Sequence, residues 1–191
     1  MIATKLGYDS DAYSSVITSN GTTAISLLLH HISNHPRTGI LFLGPVYFSA
    51  VHLARRLGIQ HRVAPIVWTT ASSFSLRKTF ELLGETREKF LWVTNPIYGT
   101  GCRLPDEDFK TLRQLIDHER HTVIVDEAYA TQEQLIGPAL SVDGANVLRA
   151  VSAVSICRTS PINGTCATTI LTLNPRLLAS HHRQTGGVLF S

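Results

Sequence analysis

Lysine is scarce in this chain of 191 residues. Four are present, Lys5, Lys78, Lys89 and Lys110, against thirteen arginines, and the last 81 residues contain none. Any mechanism that needs an amine nucleophile in that stretch is excluded. Cysteine is scarce as well, with only Cys102, Cys157 and Cys166. An odd count without a Cys-x-x-Cys pair gives neither a disulfide framework nor a thiolate zinc site. A reducing, cytoplasmic compartment is the expectation. Charged residues make up 16% of the chain, which is too few for a disordered, solvated polymer. The net charge of +3 is small and spread along the sequence, so no basic face for nucleic acid is expected. No apolar run reaches the roughly 18 residues that cross a bilayer, and no signal-peptide pattern opens the chain. Nine histidines are present, but His30-His31 and His181-His182 are adjacent pairs that leave a helix in different directions, so no metal site is expected.

The chain does have material for a core. Its hydrophobic fraction is 43%, enough to bury a sizeable interior. Residues 1–15 are polar and mixed and read as an arm, and residues 16–191 read as one domain. Short apolar runs predict strands over 16–18, 39–43, 61–68, 90–94, 122–125, 146–153 and 167–173. Helical periodicity predicts helices over 22–33, 48–57, 75–83 and 105–120, the first with Ile25, Leu28, Leu29 and Ile32 on one face. Apolar strands alternating with helices mean an α/β fold: a mostly parallel central sheet with helices on both faces. In such sheets, ligands sit beyond the carboxyl ends of the strands.

The residues at those ends carry the chemistry. Ser19-Asn20-Gly21-Thr22-Thr23 opens a helix, where free amides and hydroxyls make either an anion site or an ordinary N-cap. Pro45-Val46-Tyr47 follows the second strand. Asn95-Pro96-Ile97-Tyr98-Gly99-Thr100-Gly101 follows the strand at 90–94, and Asp126-Glu127-Ala128-Tyr129 the strand at 122–125. An aspartate ending a buried strand is costly without a cation; the plainer alternative for Asp126-Glu127 is a helix cap. Ser155-Ile156-Cys157-Arg158 comes next.

In this order, the five motifs resemble the fold type I pyridoxal-phosphate enzymes of the class I/II aminotransferase family, over nearly the whole chain. The resemblance implies that the amides of Gly21 and Thr22, with the Thr22 or Thr23 hydroxyl, hold the cofactor phosphate, and that Ser155 adds a hydroxyl. Tyr47 would stack on the pyridine ring, Asp126 would pair with its protonated nitrogen, and Tyr129 would donate to its phenolic oxygen. The family's asparagine on that oxygen is Asn95 by the Asn-Pro dipeptide. Counted back from Thr100-Gly101, the same slot holds Tyr98.

Two departures bear on function. The family's Schiff-base lysine falls on Arg158, 32 residues after Asp126. A guanidinium stays protonated and cannot form that covalent link. No change of register restores it, because no lysine follows Lys110; Ser75-Leu76-Arg77-Lys78 has one but precedes the other motifs. A phosphate-binding arginine of the family falls on Cys166, so Arg158 is expected to supply that charge. The sequence given ends 33 residues after Arg158, so the family's small C-terminal domain is expected to be missing. The expected function is a non-catalytic homologue that binds a cofactor or a partner. Pyridoxal 5'-phosphate or pyridoxamine phosphate would be held non-covalently, and the chain would form a homodimer, or a heterodimer with an aminotransferase-fold protein. The alternatives are an enzyme that uses the non-covalently held cofactor on an amino acid, and a fragment of a longer protein.

Overall fold

The structure, a computed structural model, describes residues 14–35, 39–65, 67–68, 70, 74–75, 79, 81, 87–117, 120–142, 146–152 and 169–173. Seven strands form one sheet: β1 (Ser14–Thr18), β2 (Gly39–Leu43), β3 (Gln60–Ala64), β6 (Phe90–Thr94), β7 (Thr122–Glu127), β8 (Asn146–Ser152) and β9 (Thr169–Leu173). Their order is β1-β9-β8-β7-β6-β2-β3. The pairs β2–β3, β2–β6, β6–β7 and β7–β8 are parallel. β9 runs antiparallel to both of its neighbours, so the sheet is mostly parallel, as the apolar runs indicate.

The strand pleat builds two cores from one sheet. Along β2, β6 and β7, alternate residues point to opposite faces. Ile40, Phe42, Phe90, Trp92 and Ile124 meet α1 (Gly21–Ser33) and α2 (Phe48–Arg56). Leu41, Leu43, Leu91, Val93, Val123 and Val125 meet the other core, with Leu112 of α3 (Asp106–Leu115) and Leu140 of α4 (Gly137–Val142). Helices therefore cover both faces. α1 buries Ile25, Leu28, Leu29 and Ile32, the face its periodicity marks. Each such side chain contributes about 1.5–3 kcal/mol on burial.

Several element limits differ from the sequence pattern, for local reasons. The run 61–68 is two strands, because Pro65 has no N–H to continue the ladder. β4 (Val67–Trp68) leaves the main sheet and pairs with β5 (Phe74–Ser75). Ser75 therefore belongs to a strand; of the rest of the 75–83 helix only residues 79 and 81 are described, and both are helical. The helix expected over 105–120 stops at Leu115, where Ile116 is extended. A turn then forms on Asp117, whose carbonyl accepts the amides of Arg120 and His121 at 3.1 and 2.8 Å. The short α4 and the 3-10 turn Gln132–Gln134 have no counterpart in the sequence pattern. No helix among the described residues is long and apolar enough to cross a membrane.

The loops beyond the strand ends are tied down by two buried polar side chains. Glu127 is fully buried, and its Oε1 accepts the amides of Ile136 and Gly137 at 2.6 and 3.2 Å. Burial pushes its pKa up to about 8, against the pull of those two amides. Asn95 is also fully buried. Its Nδ2 donates to the Gln134 carbonyl at 2.6 Å, and its Oδ1 accepts the Leu104 amide at 3.1 Å. Glu127→Ala would strand two buried amides and is expected to cost about 2–3 kcal/mol. Glu127→Gln keeps the acceptor and is the neutral match of the protonated acid. Urea unfolding at pH 6 should place the Gln variant near wild type and the Ala variant well below it. Equal losses would contradict this role.

Candidate active site

The parallel strands β2 and β6 are adjacent, but the chain leaves β2 toward β3 on one side and β6 toward β7 on the other. A ligand crevice is expected where the winding direction reverses, outside the carboxyl ends. Tyr47 follows β2 and Tyr98 follows β6. Their rings meet edge to face, 5.6 Å apart at 60°. Tyr98 rides on the 97–102 turn, in which Ile97 N–H donates to the Cys102 carbonyl at 2.8 Å. Gly99 and Gly101 hold φ of 77° and 69° there, a left-handed conformation that residues with a Cβ adopt only under strain.

Asp126 closes β7 one strand over. The pleat separates it from its neighbour: it shares the face of Ile124 and the α1/α2 layer, whereas Glu127 shares the face of Val125 and the α3/α4 layer. Asp126 is only 4% exposed. Among the described residues, the one hydrogen bond to its carboxylate comes from the Ala128 amide at 3.3 Å. Desolvation raises its pKa from 3.8 to about 6, with the Ala128 amide opposing.

The third part is the start of α1. Asn20 caps the helix, its Oδ1 accepting the Thr23 amide at 2.8 Å and the Thr23 hydroxyl at 3.1 Å. The Gly21 and Thr22 amides lie ahead of any intrahelical acceptor, and they sit at the positive end of the helix dipole. The Thr22 and Ser49 side chains lie close to the Tyr47 hydroxyl. These polar neighbours hold the phenol below its ordinary pKa, against burial and the charge of Asp126. Thr22 of α1, Tyr47 and Tyr98 of the segments after β2 and β6, and Asp126 of β7 thus come near one another from four separate parts of the chain.

The structure describes some of the other candidate residues. The Thr23 hydroxyl is engaged with the cap. The Asn95 amide bonds backbone on both sides, and Tyr98 is the residue of that loop whose ring meets Tyr47. Tyr129 is 76% exposed in the turn after β7. Ser155 and Arg158, like Cys157 and Cys166, lie outside the described residues. The sequence pattern does not single out Ser49, Thr94 or the Glu127 staple. A sequence signal existed for Thr94, a polar residue ending the apolar run of β6.

Asp126 makes a testable demand on stability. Its folded pKa of about 6 lies above the ordinary 3.8, so the folded state holds a proton that the unfolded chain has released. Stability contributed by this group is present below pH 3.8, falls as pH rises to about 6, and stays lower above that. Asp126→Asn should remove the loss, raising stability at pH 7–8 by roughly 2–3 kcal/mol with little effect near pH 4. Thermal melts across pH would contradict the assignment if the variant tracked wild type throughout.

The comparisons with known proteins follow this geometry. The family model described as "Aminotransferase class I and II" matches residues 2–138. No match was found among curated protein sequences. Among solved structures, the chain is similar to the PLP-bound C-S lyase from Staphylococcus hominis, at 15% identity and a TM-score of 0.67, covering 95% of this chain and 46% of that one. It is also similar to the histidinol-phosphate aminotransferase from Clostridium acetobutylicum, at 15% identity and a TM-score of 0.68, covering 96% and 52%. A third is N-succinyldiaminopimelate aminotransferase from Mycobacterium tuberculosis, at 18% identity and a TM-score of 0.68, covering 93% and 48%. The chain spans about half the length of each. These likenesses establish the fold, and the family match over most of the described strands establishes more: the chain belongs to the aminotransferase class I and II family.

Proposed function

We propose that this chain is a non-catalytic member of its family that holds pyridoxal phosphate or pyridoxamine phosphate without a covalent bond. The observation that carries the reading is Asp126, a carboxylate buried beside Tyr47 at the end of β7, in a sequence with no lysine after Lys110. A buried carboxylate whose burial raises its pKa gains most from a cationic partner, and a protonated pyridine nitrogen is such a partner. The residues present therefore fit the cofactor's ring. When bound, the cofactor supplies an electron-accepting heterocycle.

Each residue contributes a binding role rather than a bond-making one. Asp126 holds the ring-nitrogen proton. Tyr47 offers its ring face, and Tyr98 backs it. The Gly21 and Thr22 amides receive the phosphate at the start of α1, helped by the Thr22 hydroxyl, since that of Thr23 is used by the cap. Asn95 acts from behind, by fixing the loop that carries Tyr98. Tyr129 and Ser155 add hydroxyls, and Arg158 adds the phosphate-neutralising charge at the place where the family has its lysine. The domain lies within residues 16–191, and the chain works as a homodimer or beside an aminotransferase-fold partner. A second reading, turnover of an amino acid with the non-covalent cofactor, draws on the same ring-facing groups.

The test is a visible-spectrum titration of the purified chain with pyridoxal phosphate, followed by borohydride and intact-mass measurement. The expected outcome is a shifted bound spectrum, no mass adduct, and a loss of affinity of at least about tenfold in Asp126→Ala. Production of keto acid from an amino acid would favour the second reading. A borohydride-fixed adduct, or an unchanged free-cofactor spectrum, would overturn the proposal.

A further inference from the structure

One buried hydroxyl beside the site has no hydrogen-bond partner among the described residues. Thr94 ends β6, is 6% exposed, and its Oγ1 has no hydrogen-bond partner among the described residues. Unsatisfied buried hydroxyls are uncommon in folded proteins, because leaving one unpaired costs about 1–3 kcal/mol. The position of this one is informative. Thr94 and Asp126 are in-register neighbours on the parallel strands β6 and β7. In-register residues of a parallel pair point to the same face, on strands about 4.8 Å apart. Thr94 follows Phe90 and Trp92 on that face, toward α1 and α2. A hydroxyl without a partner among the described residues and a sparsely bonded carboxylate thus stand side by side.

We infer that Thr94 is a positioning residue for the ligand-bound state: its hydroxyl donates to Asp126 once a cationic ring nitrogen engages the carboxylate. The inference rests on the reading of Asp126 given above. An aspartate kept anionic by a cation has two oxygens to satisfy. One faces the ring nitrogen, and the other can take the Thr94 proton after a small rotation of either side chain. Without ligand, the carboxylate takes the Ala128 amide, and the Thr94 hydroxyl makes no bond to it. The hydroxyl is therefore idle in the free protein and used in the complex. Binding gains a charge-assisted hydrogen bond that free-state stability does not share.

Thr94→Val tests this, because valine keeps the shape and the β-branching while removing the hydroxyl. The ligand-free variant should be at least as stable as wild type, since an unpaired polar group has been removed. Its affinity for pyridoxamine phosphate, measured by fluorescence titration, should fall about tenfold. Thr94→Ser should restore that affinity. The deaza analogue, with carbon in place of the ring nitrogen, supplies the decisive arm: it cannot engage the carboxylate as a cation, so Thr94→Val should bind it as wild type does. Equal losses for both ligands would reduce Thr94 to a packing residue and overturn the inference, as would unchanged affinity for pyridoxamine phosphate. Wild-type protein that binds neither ligand would overturn both this inference and the proposed function. Wild-type binding with an indifferent Thr94→Val would sink the inference alone.

Discussion

A carboxylate at the end of a buried strand must either keep its proton or meet a cation, and Asp126 has little else to meet. Among the described residues it has one amide, at 3.3 Å, and almost no solvent. Burial, opposed by the Ala128 amide, moves its pKa to about 6, so at neutral pH the free protein carries an ionised group in a place that disfavours it. A fold does not retain such a cost for packing; a neutral side chain would be cheaper. The site is arranged around this imbalance. The tyrosines come from the β2 and β6 loops, Thr22 comes from the start of α1, and Thr94 stands one strand away.

The sheet separates two adjacent acids into two kinds of work. Asp126 and Glu127 follow each other in sequence, yet the pleat turns one toward α1 and α2 and the other toward α3 and α4. Glu127 meets two amides and fastens the loop that starts α4. Asp126 meets one amide and remains available. Asn95 reinforces the fastening through Gln134 and Leu104. Tyr98 is thus carried on a loop, but that loop is pinned by the buried hydrogen bonds of Asn95. Sites that must hold a flat ring at a fixed height need such support.

Much of the architecture is legible in the sequence. The central strands are continuous apolar runs, and their alternation is enough to place a helix layer on each face. The places of Asp126 and Tyr47 at or beyond the ends of buried strands are legible because the apolar runs end just before them. What is not legible depends on partners that carry no sequence signal. Glu127 bonds to backbone amides nine and ten residues onward, which any residues would supply. The idle hydroxyl of Thr94 has meaning only once the β6–β7 register aligns it with Asp126. The choice between Asn95 and Tyr98 turns on where each side chain goes: Asn95 into the loop backbone, Tyr98 onto Tyr47. Pro65, by contrast, was a visible break in the run 61–68, and the pattern of apolar residues overrode it.

The account stands on Asp126 being an ionisable group held ready for a cation. Carbon NMR of the chain labelled at aspartate carboxyls would follow its titration with and without pyridoxamine phosphate. The account predicts a free-state midpoint near 6 that falls far below the ordinary aspartate range when the ligand is bound. A midpoint that stays where it is on binding would contradict it.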